Sequence, residues 1–372
     1  MVKDYTISVM KKSMWIWGLC LLVAAGAARA QEREFRADDP NVNYVGRVLF
    51  DGAGAARFDW VGTAFRFRFS GNSCAVRASD TKKSFYLVFV DGKAVGEAVV
   101  EGSDRQILLA EGLEAGPHTL MAFKRTEAGE GATTLHAIVL PSGGRLLPWF
   151  GSPERRIEFI GNSITCGFGA DTADPDARYC PETENAYHSY AAIAARYFGA
   201  DCTMIAHSGQ GVVRNYGDPE PLSECTMLDR YGKVFDDPDA PDWNFASWRP
   251  HVVVIELGTN DFSVGATLDP EDFVSGYLRL IAAVRRAYGS VPVLCLSSPL
   301  SSDDALFAAV RRAAAAAGDN VRFVPILPSI LDHGSDVGAG HPNYSGHRKI
   351  AMALIPYLSS ATGWPCGDRA VE

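Results

Sequence analysis

Ile157-Glu158-Phe159-Ile160-Gly161-Asn162-Ser163-Ile164-Thr165 is the stretch on which the reading of this chain turns. Its first four residues are mostly apolar and make a short buried strand, which Gly161-Asn162-Ser163 breaks before a helix. A hydroxyl at the end of such a strand lies near a helix N-terminus, whose dipole favours developing negative charge. A serine there is also an ordinary helix cap, so this stretch alone leaves both readings open. The pattern recurs downstream. Residues 202–206, 252–257, 293–296 and 321–326 read as strands, and 186–197 as an amphipathic helix. Asp269 caps the next helix, with Pro270 in its first position and Phe273, Tyr277, Leu280 and Val284 on one face. An Ala-rich helix spans 303–317, and a last one starts near Tyr344 and ends near Gly363, kinked or shortened by Pro356. Strands alternating with helices predict a parallel sheet covered on both faces, with reactive groups at the carboxyl ends of its strands.

Upstream the period changes. Residues 64–69 alternate as a half-buried strand does, and 85–90 form a continuous apolar run before the turn signal Asp91-Gly92. Further short strands read at 98–100, 106–109, 118–123 and 135–139, with no sustained helical period. This spacing predicts an all-β sandwich of the jelly-roll kind over residues 31–145. Pro141-Ser142-Gly143-Gly144 marks its end, and the α/β domain occupies 150–365. Residues 1–30 read as a cleaved signal peptide: Lys11 and Lys12, an apolar run over 15–28, then Ala28-Arg29-Ala30. That run is shorter than the ~20 residues a membrane span needs. The expectation is an exported protein, periplasmic or secreted, without stable membrane association.

The 372 residues are 47% hydrophobic and 21% charged, an ordinary globular composition. The net charge of −9, with no basic block, argues against nucleic acid as a partner. Seven of the eight cysteines follow residue 30, an odd number that leaves at least one thiol unpaired. Cys166 and Cys180 flank a polar loop and are the best candidate disulfide, whereas Cys202 and Cys295 sit in apolar strands. With neither CxxC nor HExxH, a zinc site is not expected.

Four strand ends carry the candidate chemistry. Ser163 follows the first strand, His207-Ser208-Gly209-Gln210-Gly211 the second, and Gly258-Thr259-Asn260-Asp261 the third. His341 precedes the last helix, whose packing face carries His347 as a core histidine. Ser, Gly, Asn and His in this order resemble the SGNH (GDSL-type) hydrolases, and most of all the two-domain acetyl esterases of carbohydrate esterase family 2. The matching stretches are 160–169, Glu184-Asn185-Ala186-Tyr187, Trp248-Arg249-Pro250 leading into 257–261, and His341-Pro342. The resemblance implies an N-terminal jelly roll and a three-layer α/β SGNH hydrolase domain. It also implies Ser163 as nucleophile, His341 as general base, and the Ser163 N–H, a Gly209 N–H and the Asn260 side chain as oxyanion donors. Gly211 is the alternative to Gly209. No metal or organic cofactor is needed for this chemistry.

Two departures stand out. Asn162 replaces the family's Asp, and Gly338 replaces the Asp usual three residues before the His. Asp336 is the first candidate for the missing orienting acid and Asp332 the second, but a Ser–His dyad held by a backbone carbonyl is the preferred reading. Trp149, Tyr187, Trp243 and Trp248 lie near the motif blocks, and the first three are the candidate sugar-stacking residues. The expected reaction is removal of O-acetyl groups from a polysaccharide or oligosaccharide through an acetyl-enzyme. The alternatives are a non-catalytic carbohydrate-binding protein and an SGNH thioesterase or lipase.

Overall fold

The computed structural model describes residues 32–372, so the targeting segment read in residues 1–30 lies outside the described residues. Two six-stranded antiparallel sheets form the N-terminal sandwich. The first runs Leu49–Phe50, Ala56–Phe58, Thr133–Leu140, Cys74–Asp80, Arg105–Ala110, with Arg33–Arg36 added alongside Thr133–Leu140. The second runs Arg145–Leu147, Ala64–Gly71, Gly116–Lys124, Lys83–Val90, Lys93–Glu101, with Val42–Val45 alongside Ala64–Gly71. Phe58, Phe67, Phe69, Leu120, Leu135 and Ile138 fill the space between them. Cys74–Asp80 is a strand the sequence reading does not anticipate, because its core-facing residues, Cys74, Val76 and Ala78, are small and its second half, Arg77 to Asp80, is mostly polar.

The second sheet explains two sequence patterns. Phe65, Phe67 and Phe69 point into the sandwich, whereas Arg66 leaves the opposite face to bond Asp201 at both carboxylate oxygens, at 2.8 and 2.6 Å. In Lys83–Val90, Tyr86, Val88 and Val90 face the sandwich core while Leu87 and Phe89 pack against the α/β domain. A strand buried on both faces has no polar side to show, hence the unbroken apolar run.

The C-terminal sheet has five parallel strands: β1 Arg156–Gly161, β2 Asp201–Ala206, β3 Val252–Glu256, β4 Val293–Leu296 and β5 Val321–Val324. Their order is β2-β1-β3-β4-β5, a doubly wound topology whose carboxyl edge gathers the loops after β1, β2 and β3. Besides a single helical turn at Met227–Arg230, the helices are α1 Ser163–Cys166, α2 Tyr190–Phe198, α3 Pro270–Tyr288, α4 Asp304–Ala317 and α5 Tyr344–Thr362. α2 and α5 cover one face of the sheet, α3 and α4 the other. Asp269 caps α3 by accepting the Glu271 N–H at 2.9 Å.

Two helices depart from expectation. α2 is not amphipathic, because every residue but Arg196 is buried between the sheet, α5 and the sandwich; residues 186–188 form a separate 3₁₀ turn. α5 runs through Pro356 to Thr362. Met352, whose carbonyl loses its helical partner to that proline, is 56% exposed, so solvent can take the place of the missing N–H.

The two domains are pinned by buried polar side chains as well as apolar contact. Arg47, from the sandwich, enters a cage of Trp60, Tyr231, Trp243 and Phe245, with ring centroids 5.3 to 5.9 Å from its guanidinium. It donates to the carbonyls of Tyr231 and Lys233 and lies 3.7 Å from Glu158 of β1. Burial pushes the Glu158 carboxyl above its usual range, while Arg47 and the Tyr231 and Tyr288 hydroxyls draw it back. Arg47→Ala is expected to cost about 3–5 kcal/mol, as breaking a buried ion pair does. A urea titration checks this: the midpoint falls at constant slope, and adding Glu158→Gln recovers part of the loss.

Candidate active site

Gly161 ends β1 where no side chain fits, since a Cβ there would lie 2.0 Å from the Thr165 hydroxyl. The chain therefore turns at once into α1. Asn162 caps that helix, its Oδ1 accepting the Ile164 N–H at 3.0 Å. The change from Asp thus keeps the capping acceptor while avoiding a full negative charge at a position with no solvent exposure. Ser163 occupies the first helical position, where a backbone N–H has no acceptor within the helix.

His341 arrives from the other end of the domain. Val337–Gly338 and His341–Pro342 pair as a miniature hairpin, and its two turn residues, Ala339 and Gly340, have φ of +51° and +72°. That is the backbone of a type I′ turn, which Gly340 adopts freely and Ala339 only with strain. The turn aims the Ala339 carbonyl at His341 Nδ1, 3.2 Å away, and His341 Nε2 lies 2.8 Å from Ser163 Oγ. Because a carbonyl can only accept, Nδ1 carries the hydrogen and Nε2 is left to accept from the serine. The Phe168 ring packs on the imidazole at 4.2 Å, and Tyr179 stacks behind Phe168 at 4.4 Å. Burial holds the His341 imidazole below its usual range, and the Ala339 carbonyl opposes that shift.

Asp336, the first candidate for an orienting acid, is engaged by groups other than His341: its carboxylate pairs with Lys349 and accepts from the Ser345 hydroxyl and the Asp332 N–H, both at 2.7 Å. Asp332 is likewise occupied, accepting the Gly334 N–H at 2.8 Å. Gly338 has no room for an acid, because its Cβ would meet the Thr172 carbonyl at 2.0 Å. The loop carrying Thr172 is strapped across the hairpin, with the Ala339 and Gly340 N–H groups donating to the Asp174 and Pro175 carbonyls at 2.8 Å each.

The loop after β2 discriminates between the two glycines. The Gly211 N–H is taken by Asn215 Oδ1 at 3.1 Å. Gly209, at φ +80°, lies in the wall of the cleft, and its N–H donates to no group among the described residues. Asn260 sends one amide hydrogen to the Gln210 carbonyl at 2.8 Å, leaving the second for the cleft. Asp261, which sequence reasoning passed over, holds this loop by accepting the N–H groups of Val212, Val213 and Arg214, and burial raises it to about 6. Its signal was only its place beside Asn260.

Ser163, Gly209, Asn260 and His341 meet in one cleft of about 740 Å³, with Phe168, Tyr216, Phe262 and Val264 among its walls. The three aromatics singled out from sequence lie elsewhere. Trp149 is stacked under Arg66, 5.2 Å from its guanidinium. Tyr187 packs between Phe89, Phe123 and Arg196 at the domain junction. Trp243 forms one wall of the Arg47 cage. Each is near a motif in sequence, and Tyr187 and Trp243 pack where the sandwich meets the α/β domain. Tyr216, 65% exposed at the cleft, is the aromatic that sequence reasoning missed.

Cys166 and Cys180 are both free thiols, which corrects the proposed disulfide. Cys166 is buried, with its Sγ 3.8 Å from Glu127 Oε2. Glu127, Cys166 and Glu184 bring ligand atoms within 4.8 Å of one another, but these oxygens are already engaged by the Ser208 and Glu127 N–H groups and the Tyr179 hydroxyl. His347 is a core histidine, accepting the Tyr190 N–H at 3.2 Å and pushed down to about 3 by burial.

Comparison with known proteins agrees with this architecture. Residues 44–149 match the model "Carbohydrate esterase 2 N-terminal" and residues 159–349 the model "GDSL-like Lipase/Acylhydrolase family". The chain is 34% identical over 337 residues to the cellulase/esterase CelE of Acetivibrio thermocellus, covering 88% of this chain and 40% of that protein. It is 27% identical over 349 residues to an acetylxylan esterase/glucomannan deacetylase of Cellvibrio japonicus, covering 86% of this chain and 90% of that one. Among solved structures, a family two carbohydrate esterase from Clostridium thermocellum in complex with cellohexaose superposes with a TM-score of 0.80 at 32% identity, over 87% of this chain and 100% of that one. With its two domains matched in order and its serine, glycine, asparagine and histidine converging on one cleft, the chain belongs to carbohydrate esterase family 2, within the GDSL-like hydrolases.

Proposed function

We propose that the protein is an exported serine esterase that removes O-acetyl groups from a polysaccharide or oligosaccharide through an acetyl-enzyme. The observation that carries this reading is the 2.8 Å contact between Ser163 Oγ and His341 Nε2 in a cleft also lined by Gly209 and Asn260. Export rests on the targeting pattern of residues 1–30. No helix among the described residues is long and apolar enough to cross a membrane.

The steps follow from the groups present. Ser163 gives its proton to His341 Nε2 as its oxygen attacks the acetyl carbonyl carbon. The carbonyl oxygen becomes an oxyanion facing the Ser163 N–H, the Gly209 N–H and the free hydrogen of the Asn260 amide. His341 returns the proton to the departing sugar oxygen, leaving acetyl on Ser163. Water, deprotonated by the same imidazole, then repeats the sequence and releases acetate. The acid of a conventional triad is replaced by the Ala339 carbonyl, which fixes the tautomer without supplying charge. Tyr216, beside the reacting groups and largely exposed, is suited to lie against a sugar face, and xylan or glucomannan fits the names of the relatives.

Acetate release from acetylated xylan, acetylated glucomannan and cello-oligosaccharide acetates is the direct test. Ser163→Ala is expected to lower turnover at least about 10³-fold; wild-type protein that is folded and releases no acetate would refute the reading. Asp336→Ala is expected to keep kcat within about threefold, and a loss of several hundredfold would restore the triad. The pH profile carries a third expectation. His341 must be neutral to accept a proton, and its pKa is depressed, so kcat/KM should hold as pH falls through the ordinary imidazole range and drop only below it. An acid limb centred above about 6.5 would contradict this.

A further inference from the structure

The Gly209 N–H is set by a turn. His207-Ser208-Gly209-Gln210 closes with the Gln210 N–H donating to the His207 carbonyl at 3.3 Å, and Gly209 at φ +80° takes the third position, as in a type II turn. Nothing in the catalytic domain receives the Ser208 N–H. Its acceptor is Glu127 Oε2 of the sandwich, 2.7 Å away and 81 residues distant in sequence. On the other side of the glycine, the Gly209 carbonyl accepts the Tyr216 N–H at 2.8 Å. Gly209, in the wall of the cleft, is thus held on both flanks, and its own N–H is bonded to no group among the described residues.

Glu127 is itself firmly placed. Its side chain is buried, its N–H donates to Glu184 Oε1 at 2.8 Å, and Lys124 Nζ donates to its carbonyl at 3.1 Å. Glu184 in turn lies 2.6 Å from the Tyr179 hydroxyl, whose ring stacks on Phe168 and through it on His341. A second sandwich acid acts one residue upstream. Asp59 accepts the Asp236 N–H at 3.1 Å, and Asp236 bonds His207 Nδ1 at 2.5 Å.

We infer that Glu127 is a positioning residue for the oxyanion hole, so that the sandwich domain completes the catalytic site of the α/β domain. Its carboxylate receives the Ser208 N–H and thereby orients the next peptide, whose N–H meets the oxyanion. The inference rests on the esterase reading above. It differs from a simple docking role in what it predicts. An oxyanion donor acts in the transition state, so misplacing it lowers kcat with little change in KM.

The test measures 4-nitrophenyl acetate hydrolysis per competent site, with sites counted by titration with a phosphonofluoridate that labels Ser163. Glu127→Ala is expected to lower kcat per labelled site about 10- to 100-fold, with KM within about threefold and the acid limb of the pH profile unmoved. Glu127→Gln keeps an acceptor for the Ser208 N–H and is expected to retain at least about a third of kcat. Ser208→Pro removes the same N–H at a turn position that proline favours, so it reads the bond from the other end even if Glu127→Ala does not fold. It should cost a similar factor, and Glu127→Ala added to it less than about twofold more. Full kcat per site in Glu127→Ala or Ser208→Pro, or a Gln variant as impaired as Ala, overturns the inference. Failure of wild-type protein to hydrolyse the ester or to be labelled would instead remove the esterase reading.

Discussion

A hydrogen bond of 2.8 Å joins Ser163 to His341, groups 178 residues apart, and the architecture at the carboxyl edge of the sheet is arranged around that distance. Neither side chain reaches the other unless its backbone is held. At one end Gly161 permits an immediate turn and Asn162 caps the helix that begins with Ser163. At the other, a hairpin too short to be stable alone is strapped down by the Asp174 and Pro175 carbonyls. That strap has a chemical consequence. The chain that secures the hairpin occupies the space an orienting carboxylate would need next to Gly338, and the group that faces His341 Nδ1 is the Ala339 carbonyl.

The positive φ at Ala339 belongs to the same compromise. A non-glycine residue in the left-handed region costs on the order of 1 kcal/mol, and it persists where surrounding contacts over-determine it. Here those contacts include the Ala339 N–H to Asp174 bond and the close approach of Gly169 to the hairpin. Backbone strain is thus located at the atom proposed to fix the tautomer of His341.

The sandwich is more than a neighbour. Arg47, Arg66, Glu127 and Asp59 cross from it into the α/β domain, and all four are engaged by polar groups or aromatic faces on arrival. Buried polar contacts of this kind add little net stability per pair, but they allow one relative placement of the surfaces and penalise others. Apolar contact between Phe89, Phe123 and Tyr187 supplies the burial, and the polar contacts supply the register. Such an arrangement suits a domain that reaches the turn carrying Gly209.

Local patterns determined much of this molecule in the sequence alone. Alternation at 64–69 and apolar runs such as 85–90 marked sandwich strands, alternation of strands and helices marked the parallel sheet, and breaks after strands marked Ser163, Gly209 and Asn260. These signals are legible because backbone period and turn chemistry act over a few residues. Tertiary structure decided what depends on distant segments. It set the Ala339 carbonyl against His341 Nδ1 and Asp336 against Lys349, left the Gly209 N–H free among the described residues where that of Gly211 is bonded, and kept Cys166 apart from Cys180. It also placed Trp149 against Arg66, Tyr187 and Trp243 at the domain junction, and Tyr216 in the cleft. An aromatic or acidic side chain looks the same in sequence whichever partner it meets, and only the packing of the folded chain supplies the partner.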